Sequence, residues 1–297
     1  MKIVLYFDRN ITEKKINQCL NSIKYYLKNS KLNYEIIPFK KFKLVKADYA
    51  IMWNVYCKFK SNTKYRKLIK DFQKKNKDKL IIAELGFINR QNYFSLGYDH
   101  ISNFGNYPKF PNNQDRLNKL KLNIKNIEYD NNINKPILFC TQVPWDTQIQ
   151  DINYPKWVVE TIKKIKLVTN RKIIIRKHPK HNNRKGFPLF NEEFFKRYKI
   201  SINLSKNSLQ KDLNDCYCVI AFNSTVLVDA ILAGKPIITD QTSSIIYDLA
   251  EHDFNNIENL KKITIDDIKN SLIKISYKQW TINEIKLGLP FKYLIKK

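Results

Sequence analysis

Short runs of β-branched and aliphatic residues recur along this chain, each followed by an amphipathic stretch at helical spacing, and that alternation admits few folds. Residues 2–8 read as a strand. Residues 12–27 read as a helix whose Ile16, Leu20, Ile23 and Leu27 share one face. Residues 34–39, 48–53 and 79–85 continue as strands, with a basic helix over 64–74. Strands alternating with helices make a parallel sheet covered by helices, and such sheets take ligands beyond the carboxyl ends of their strands.

The rhythm stops over residues 86–107, where Gly, Asn, Tyr and Phe follow no clear period. A stretch this long is more than a connection and marks a candidate functional loop. Lys135-Pro136 restarts the pattern, with strands over 137–143, 172–176, 199–204, 216–222 and 236–239 and helices over 154–168 and 224–233. Two helices, 264–275 and 281–294, close the chain. A length of 297 residues suits one large domain or two ordinary ones. The expected fold class is α/β, with two Rossmann-like domains facing a cleft: residues 1–130 and residues 131–297, the second carrying the closing helices. One continuous doubly wound sheet is the competing arrangement, and the break near residues 125–136 favours two halves.

Several classes are excluded. No window approaches the run of about 20 apolar residues of a membrane-spanning helix. The N-terminal apolar run is too short for a signal peptide. The five cysteines, Cys19, Cys57, Cys140, Cys216 and Cys218, are odd in number and scattered, as reduced thiols of a cytoplasmic protein would be. Cys216-Tyr217-Cys218 has strand alternation and not zinc-knuckle spacing. No linker-like tract or internal repeat is present.

The charge balance, 54 Lys+Arg against 27 Asp+Glu, leaves +27. Such an excess suits a polyanionic partner: nucleic acid, anionic glycan or acidic lipid. A lysine- and asparagine-rich coding bias is the plainer explanation of part of it, since only eight of the cations are arginine. Residues 1–135 hold 28 basic and 11 acidic residues, and 136–297 hold 26 and 16, so the excess leans to the first half. Residues 58–79 alone carry ten cations with Phe59, Tyr65 and Phe72 interleaved. That segment reads as a helix with a solvated face, or as a docking surface whose binding weakens with salt.

Four stretches carry chemistry. Asn223-Ser224-Thr225 follow a strand and open a helix that stops at Gly234, so capping hydroxyls and free backbone N–H groups offer a phosphate site. An ordinary capped crossover uses the same residues. Ile173-Ile174-Ile175 form a buried strand from whose carboxyl end Arg176, Lys177 and His178 emerge before Pro179. Two cations and an imidazole there suit a diphosphate, with His178 donating to the anion or assisting the leaving group; a basic solvated turn is the alternative. Glu84 ends the last strand before the irregular loop, and Gly86 permits close backbone approach, so Glu84 is a candidate general base or simply a surface carboxylate. Gln142-Val143-Pro144-Trp145-Asp146 leaves another strand end, the indole of Trp145 suited to stacking and Asp146 to a hydroxyl, or both to loop packing.

Together these residues resemble a known family. A strand running into His178-Pro179, Ser224-Thr225 opening a helix, and Glu84-x-Gly86-Phe87 in the preceding half are similar to bacterial capsule glycosyltransferases that transfer Kdo. They are similar more loosely to bacterial sialyltransferases with acidic-Gly, His-Pro and Ser motifs. Gln279-Trp280-Thr281-Ile282-Asn283-Glu284-Ile285 with Gly288 resembles the tail of phage-encoded relatives. The resemblance spans roughly residues 81–291. It implies the GT-B architecture, with the acceptor on the first domain and a CMP- or UDP-linked nucleotide sugar on the second, and no other cofactor. It implies that His178 and Ser224/Thr225 hold the nucleotide phosphate and that Glu84 supplies the catalytic carboxylate; the strand-end reading adds Gln142, Arg176, Lys177 and Asn223 to the donor set and gives His178 a part in catalysis. Gly86, Arg90, Asp99, Trp145 and Asp146 fall on the acceptor side. The family pattern has two adjacent acids before the glycine; here the second position is Leu85, so Glu84 acts alone or Asp99 or Asp146 replaces it. No D-x-D metal motif is required in this architecture, and transfer without a metal is expected.

The expected activity is therefore glycosyl transfer to a surface glycan or glycolipid, with peripheral membrane contact compatible with such an acceptor. A phage-type transfer to a hydroxylated DNA base and a non-catalytic nucleic-acid or polyanion binder are the alternatives. A phosphate-handling enzyme on a single Rossmann sheet is weaker, since neither a G-x-G-x-x-G nor a G-x-x-x-x-G-K-[ST] loop occurs.

Overall fold

A computed structural model describes residues 1–7, 14–55, 63–144, 146–149, 151–180 and 189–296. Trp145, Cys57, residues 58–62 of the basic run and the start of the expected first helix lie outside them. The chain divides into two compact units: Met1–Leu120 with Ile273–Lys297, and Lys121–Leu272.

The first unit runs β1 (Lys2–Phe7), α1 (Lys14–Asn29), β2 (Asn33–Pro38), β3 (Tyr49–Trp53), α2 (Thr63–Lys75), β4 (Lys79–Leu85), β5 (Tyr93–Tyr98) and α3 (Asp115–Lys119). Strands β1 to β4 pair in parallel, in the order β4-β3-β1-β2. Side chains alternate across a strand, so β1 sends Ile3 and Leu5 to one face and Val4 and Tyr6 to the other. On the first face, Ile16, Cys19, Leu20, Ile23 and Leu27 of α1 pack against Ile3, Leu5, Ile51 and Ile81. On the second, Ile69 of α2 packs with Val4, Met52 and Ile82. Each such buried aliphatic side chain stabilises the unit by about 1.5–3 kcal/mol.

The second unit carries β6 (Ile137–Cys140), α4 (Tyr154–Val168), β7 (Ile173–Arg176), α5 (Glu192–Lys196), β8 (Asn203–Leu204), α6 (Leu209–Asp215), β9 (Val219–Ala221), α7 (Val226–Leu232) and β10 (Ile237–Ile238), and α8 (Ile265–Ser276) leads out of it. All its strands are parallel, in the order β10-β9-β6-β7-β8. Helix α4, expected over 154–168, begins where Asn153 accepts from the Lys156 amide, with Pro155 in the first turn. Burial pushes the Cys140 and Cys218 thiols above their ordinary value and Cys216 up to about 12, so these are protonated packing residues.

The chain then returns to the first unit through β11 (Gln279–Thr281), α9 (Ile282–Lys286) and α10 (Phe291–Leu294). Strand β11 pairs antiparallel with β5, which pairs antiparallel with β4, completing the order β11-β5-β4-β3-β1-β2. Three expectations are corrected here. The boundary falls at Leu120 and not near 130, and the closing segment belongs to the first unit and not the second. The irregular stretch 86–107 contains a strand, β5, whose Phe94 to Gly97 are all buried; without a solvated face it shows no alternation. The closing helix expected over 281–294 is interrupted. Thr281 caps α9 in a capping box with Glu284, Gly288 takes φ +74°, and Pro290 precedes α10.

Arg116 holds this return in place. Its Nε donates to the Ser276 carbonyl at 3.0 Å, and one terminal nitrogen donates to the Gln279 carbonyl at 2.7 Å. Both terminal nitrogens reach Glu284, at 2.9 and 3.2 Å, while the guanidinium lies 3.8 Å from the ring centre of Trp280. Burial works to raise the Glu284 carboxyl, but the Arg116 bonds and the Thr281 amide outweigh it and hold it below its ordinary 4.5. A carboxylate held low stabilises the fold above its unfolded pKa, and that contribution is lost as pH falls through the folded value. Glu284→Gln is therefore expected to be less stable than the parent at neutral pH. In denaturant titrations the gap should narrow steadily below about pH 4.5; an equal gap at pH 7 and pH 3 would exclude this role. Gly288→Ala is expected to cost about 1–3 kcal/mol in the same titrations, because its Cβ would run into the Tyr26 ring at a left-handed φ.

Candidate functional site

In the second unit the strand register sets the geometry. Arg176 and Ala221 flank Cys140 at one level, so residues 141–142, 177–178 and 222–225 leave the sheet together at its carboxyl end. The strand order reverses between β6 and β9, which is where an open α/β sheet forms its crevice. Gln142 and Asn223 meet there. Gln142 Nε2 donates to Asn223 Oδ1 at 2.8 Å, and the Asn223 amide donates to Gln142 Oε1 at 3.0 Å. Asn223 Nδ2 donates to Ser243 Oγ at 2.7 Å, and the Gln142 amide to Tyr154 Oη at 2.7 Å. Both side chains are buried, so this pair forms the floor of the strand ends. At the base of the crevice their side chains are engaged with each other and with Ser243.

Arg176 is similarly engaged. Its Nη1 donates to Asp212 at 2.6 Å, to the Asn207 carbonyl at 2.8 Å and to Ser205 Oγ at 3.4 Å. The Asp212 carboxylate is buried and also accepts from Ser205 and Asn207. This arginine neutralises a buried acid and ties β7 to the start of α6. Lys177 and His178 are half-buried beyond it. Nδ1 of His178 accepts from the Lys180 amide at 3.1 Å, which leaves Nε2 as the protonated nitrogen of a neutral ring. Ser224 and Thr225 are half-buried at the start of α7, with Ser224 Oγ 3.4 Å from the Val226 amide. Asp146 is half-buried on the loop after β6, and its Oδ1 accepts from the Gln148 amide. His178, Lys177, Ser224 and Thr225 thus gather at one sheet end.

In the first unit Glu84 lies at the carboxyl end of β4, half-buried. Asn54, in a left-handed conformation just after β3, donates its Nδ2 to Glu84 Oε2 at 2.5 Å, and the Leu85 amide donates to Oε1 at 2.9 Å. The strand order reverses between β1 and β3, so Asn54 stands beside this unit's own crevice. Gly86 is where a Cβ would meet Tyr93 at 2.8 Å and Gln279 Oε1 at 2.9 Å. Gln279, fully buried, accepts from the Phe87 and Ile88 amides at 2.8 and 2.9 Å and returns a bond from Nε2 to the Ile88 carbonyl. The acidic loop is therefore clasped by a residue almost two hundred positions later. Arg90 is exposed on that loop.

Asp99 is elsewhere. Antiparallel β5 pairs Tyr98 with Ile81 and Phe94 with Leu85, so Asp99 lies at the opposite end of the sheet from Glu84. Its amide donates to the Leu80 carbonyl. The register removes it as a substitute base on the acceptor side. Asn54 and Arg116, which sequence reasoning did not single out, and Gln279, which it named only within a motif, hold the Glu84 loop and the returning segment. Two signals were present: the Gln279–Glu284 segment stood out as a motif, and Arg116 is one of few arginines in a lysine-rich chain.

The two units define an α/β fold of two Rossmann-like layers, the GT-B type. No family model matches the chain, and no curated protein matches it. Among solved structures, it resembles the KpsC beta Kdo 2,7 transferase of Thermosulfurimonas dismutans, at 15% identity and a TM-score of 0.53, over 97% of this chain and 98% of that one. It also resembles the KpsC beta Kdo 2,4 transferase of the same organism, at 11% identity and a TM-score of 0.55, over 96% and 98%. At these identities the likeness is one of fold. Gln279→Leu leaves the Phe87 and Ile88 amides without their acceptor and is expected to cost about 2–4 kcal/mol in a denaturant titration. Faster hydrogen exchange at those two amides should accompany the loss, and unchanged exchange there would rule out the clasp.

Proposed function

We propose that the chain is a glycosyltransferase that moves a sugar from a nucleotide-activated donor to a hydroxyl of a surface glycan or glycolipid. The observation that carries this reading is where the motifs fall. Glu84-x-Gly86 ends a strand at one sheet's carboxyl edge, and His178 with Ser224-Thr225 stands at the carboxyl edge of the other. Two solved structures that share this fold over nearly their whole length are Kdo transferases, which supports it.

In this reading the donor phosphate lies against Lys177, His178 and the Ser224 and Thr225 segment, with a CMP- or UDP-linked sugar as co-substrate. Glu84, oriented by Asn54, accepts the proton of the acceptor hydroxyl. The freed oxygen attacks the anomeric carbon, the bond from that carbon to the phosphate oxygen breaks, and its electron pair leaves with the nucleotide. Nε2–H of His178 and the Lys177 ammonium stabilise the charge that builds on that phosphate. This hydrogen-bond donor and this cation take the part a divalent ion would otherwise play, so activity should survive EDTA. The reading places the enzyme in the cytoplasm, where nucleotide sugars are made.

A thermal-shift comparison of CMP, UDP, GDP and ADP tests the donor side. At a hundred times its Kd the correct nucleotide adds about 2.7 kcal/mol of stability, and His178→Ala should abolish the shift. His178→Ala and Glu84→Gln should each lower kcat by roughly 10²–10⁴ while leaving Tm within a degree or two. Unfolding of both variants would return these residues to structural roles. Absence of any nucleotide shift, together with tight salt-sensitive DNA binding, would favour the non-catalytic polyanion binder.

A further inference from the structure

The carboxyl edge of the second sheet does not end at the Ser224 segment. Strand β10 pairs Ile237 with Val219 and Ile238 with Ile220, so Thr239 and Asp240 leave the sheet level with Ala221 and Phe222. Two bonds tie the loop that follows to the end of β9. The Thr239 hydroxyl donates to the Phe222 carbonyl, and Ser243 Oγ accepts from Asn223 Nδ2 at 2.7 Å. Glu251 bridges Ile238 in parallel, which brings His252 level with Thr239. The rim at which the donor phosphate is proposed to lie thus continues into a second polar group that the proposed transfer does not use.

The chemistry inverts along that rim. On the β7 side stand the Lys177 ammonium and His178, whose Nε2 carries the hydrogen. On the β10 side stands the exposed carboxylate of Asp240. Its Oδ2 accepts from Trp157 Nε1 at 3.3 Å and its Oδ1 from Gln241 Nε2 at 2.7 Å, so both oxygens are oriented. A carboxylate offers about four lone-pair directions, and roughly half of them remain for a ligand. His252 Nδ1 lies 3.2 Å from the Thr239 carbonyl, which only accepts. In the neutral ring Nδ1 therefore carries the hydrogen and Nε2 is an acceptor, the opposite tautomer to His178. Stacking on Tyr247, 3.8 Å between ring centres, fixes that imidazole. Glu251, by contrast, is already engaged by the amides of residues 252, 253 and 261.

Groups that only accept cannot hold a second phosphate. They take hydroxyl donors, and a carboxylate suits a vicinal pair, one hydroxyl to each oxygen. The layout has a general counterpart: where a strand, a phosphate-holding turn, a helix and a second strand follow one another, an acid about 20 residues after the turn takes ribose hydroxyls. Asp240 ends such a second strand, sixteen residues after Ser224. We infer that Asp240, oriented by Trp157 and Gln241 and with His252 on the next position of the rim, is a specificity-determining residue that reads a vicinal diol of the donor, on its ribose or on the transferred sugar. It rests on the donor reading proposed above and adds a direction to it: phosphate toward β7 and β9, a hydroxyl-bearing ring toward β10.

The test is equilibrium binding to the full chain of pyrophosphate, CMP, UDP, the 2′-deoxy forms of both nucleotides, UDP-glucose, UDP-N-acetylglucosamine and CMP-N-acetylneuraminate. Removing a negative charge beside a phosphate tightens phosphate binding by itself, so the sign of the Asp240→Ala effect separates the two roles. Asp240→Ala should weaken the nucleotide or nucleotide sugar that the parent binds best by roughly 10–100-fold. Pyrophosphate, which has no hydroxyls of this kind, should bind as before or more tightly, with Tm within a degree or two because Asp240 is exposed. Asp215→Ala, which removes an exposed charge at the end of α6, should change none of these affinities. Loss of the parent's preference for the ribonucleotide over its 2′-deoxy form assigns the diol to the ribose. Loss of only the gain from a nucleotide to its sugar conjugate assigns it to the transferred sugar. If Asp240→Ala binds every probe as tightly as the parent or more so, while His178→Ala loses them, the inference falls and the donor reading stands. A parent that binds none of the probes overturns both.

Discussion

The guanidinium of Arg116 is the interaction on which the first unit's functional end depends. It gathers the Ser276 and Gln279 carbonyls, both oxygens of Glu284 and the face of Trp280 at a position that is 8% exposed. Four acceptors and a ring face are more than an ammonium group can satisfy, since lysine has three donors and no planar face to stack. This side chain braces β11, which its own backbone ladder docks against β5, and docking β11 brings Gln279 under the loop that follows Glu84. The candidate catalytic carboxylate is thus placed by covalent neighbours on one side and by the end of the chain on the other.

The second unit solves the matching problem differently. At the carboxyl end of a parallel sheet the strands stop at one level, and every polar group there must find a ligand, water or a neighbour. Gln142 and Asn223 find each other, and Asp212 finds Arg176 with Ser205 and Asn207. Those partnerships engage three of the residues expected on the donor side with protein groups. What they leave at the rim is a smaller and chemically sharper set: an ammonium, an imidazole whose Nδ1 is already occupied, and two hydroxyls at a helix start. Arg171 repeats the pattern away from the rim, bridging Glu258 and the carbonyls of residues 132 and 135 while stacking on Tyr217.

How much of this was legible follows from where the information resides. The parallel strands of both sheets and helix α4 could be read because each has a one-sided pattern or a local cap: α1 repeats its apolar residues at three- and four-residue spacing, and Asn153-Tyr154-Pro155 announces a helix start. Strand β5 could not be read, because a strand covered on both faces has no alternation. The closing helix was overread because Gly288 and Pro290 interrupt a pattern that otherwise keeps its period. Asp99 was misplaced for the same reason as β5: an antiparallel strand carries its end residue back to the opposite edge of the sheet. The Glu84, His178 and Ser224-Thr225 positions were found correctly at strand ends, since a strand's carboxyl end is visible as the place where a β-branched run stops.

The sequence by itself determined the class of fold and the strand ends at which chemistry is placed, because apolar periodicity and turn residues act between neighbours and are written in consecutive positions. Only the tertiary structure decided which polar groups at those ends are committed to one another. It also decided that residues 273–297 complete the first sheet, and that Gln279 and Arg116 hold the acidic loop. Those outcomes depend on side chains separated by 81 to 192 positions meeting within hydrogen-bond distance. Burial makes each such bond obligatory once the pair is out of water, and no local pattern records it.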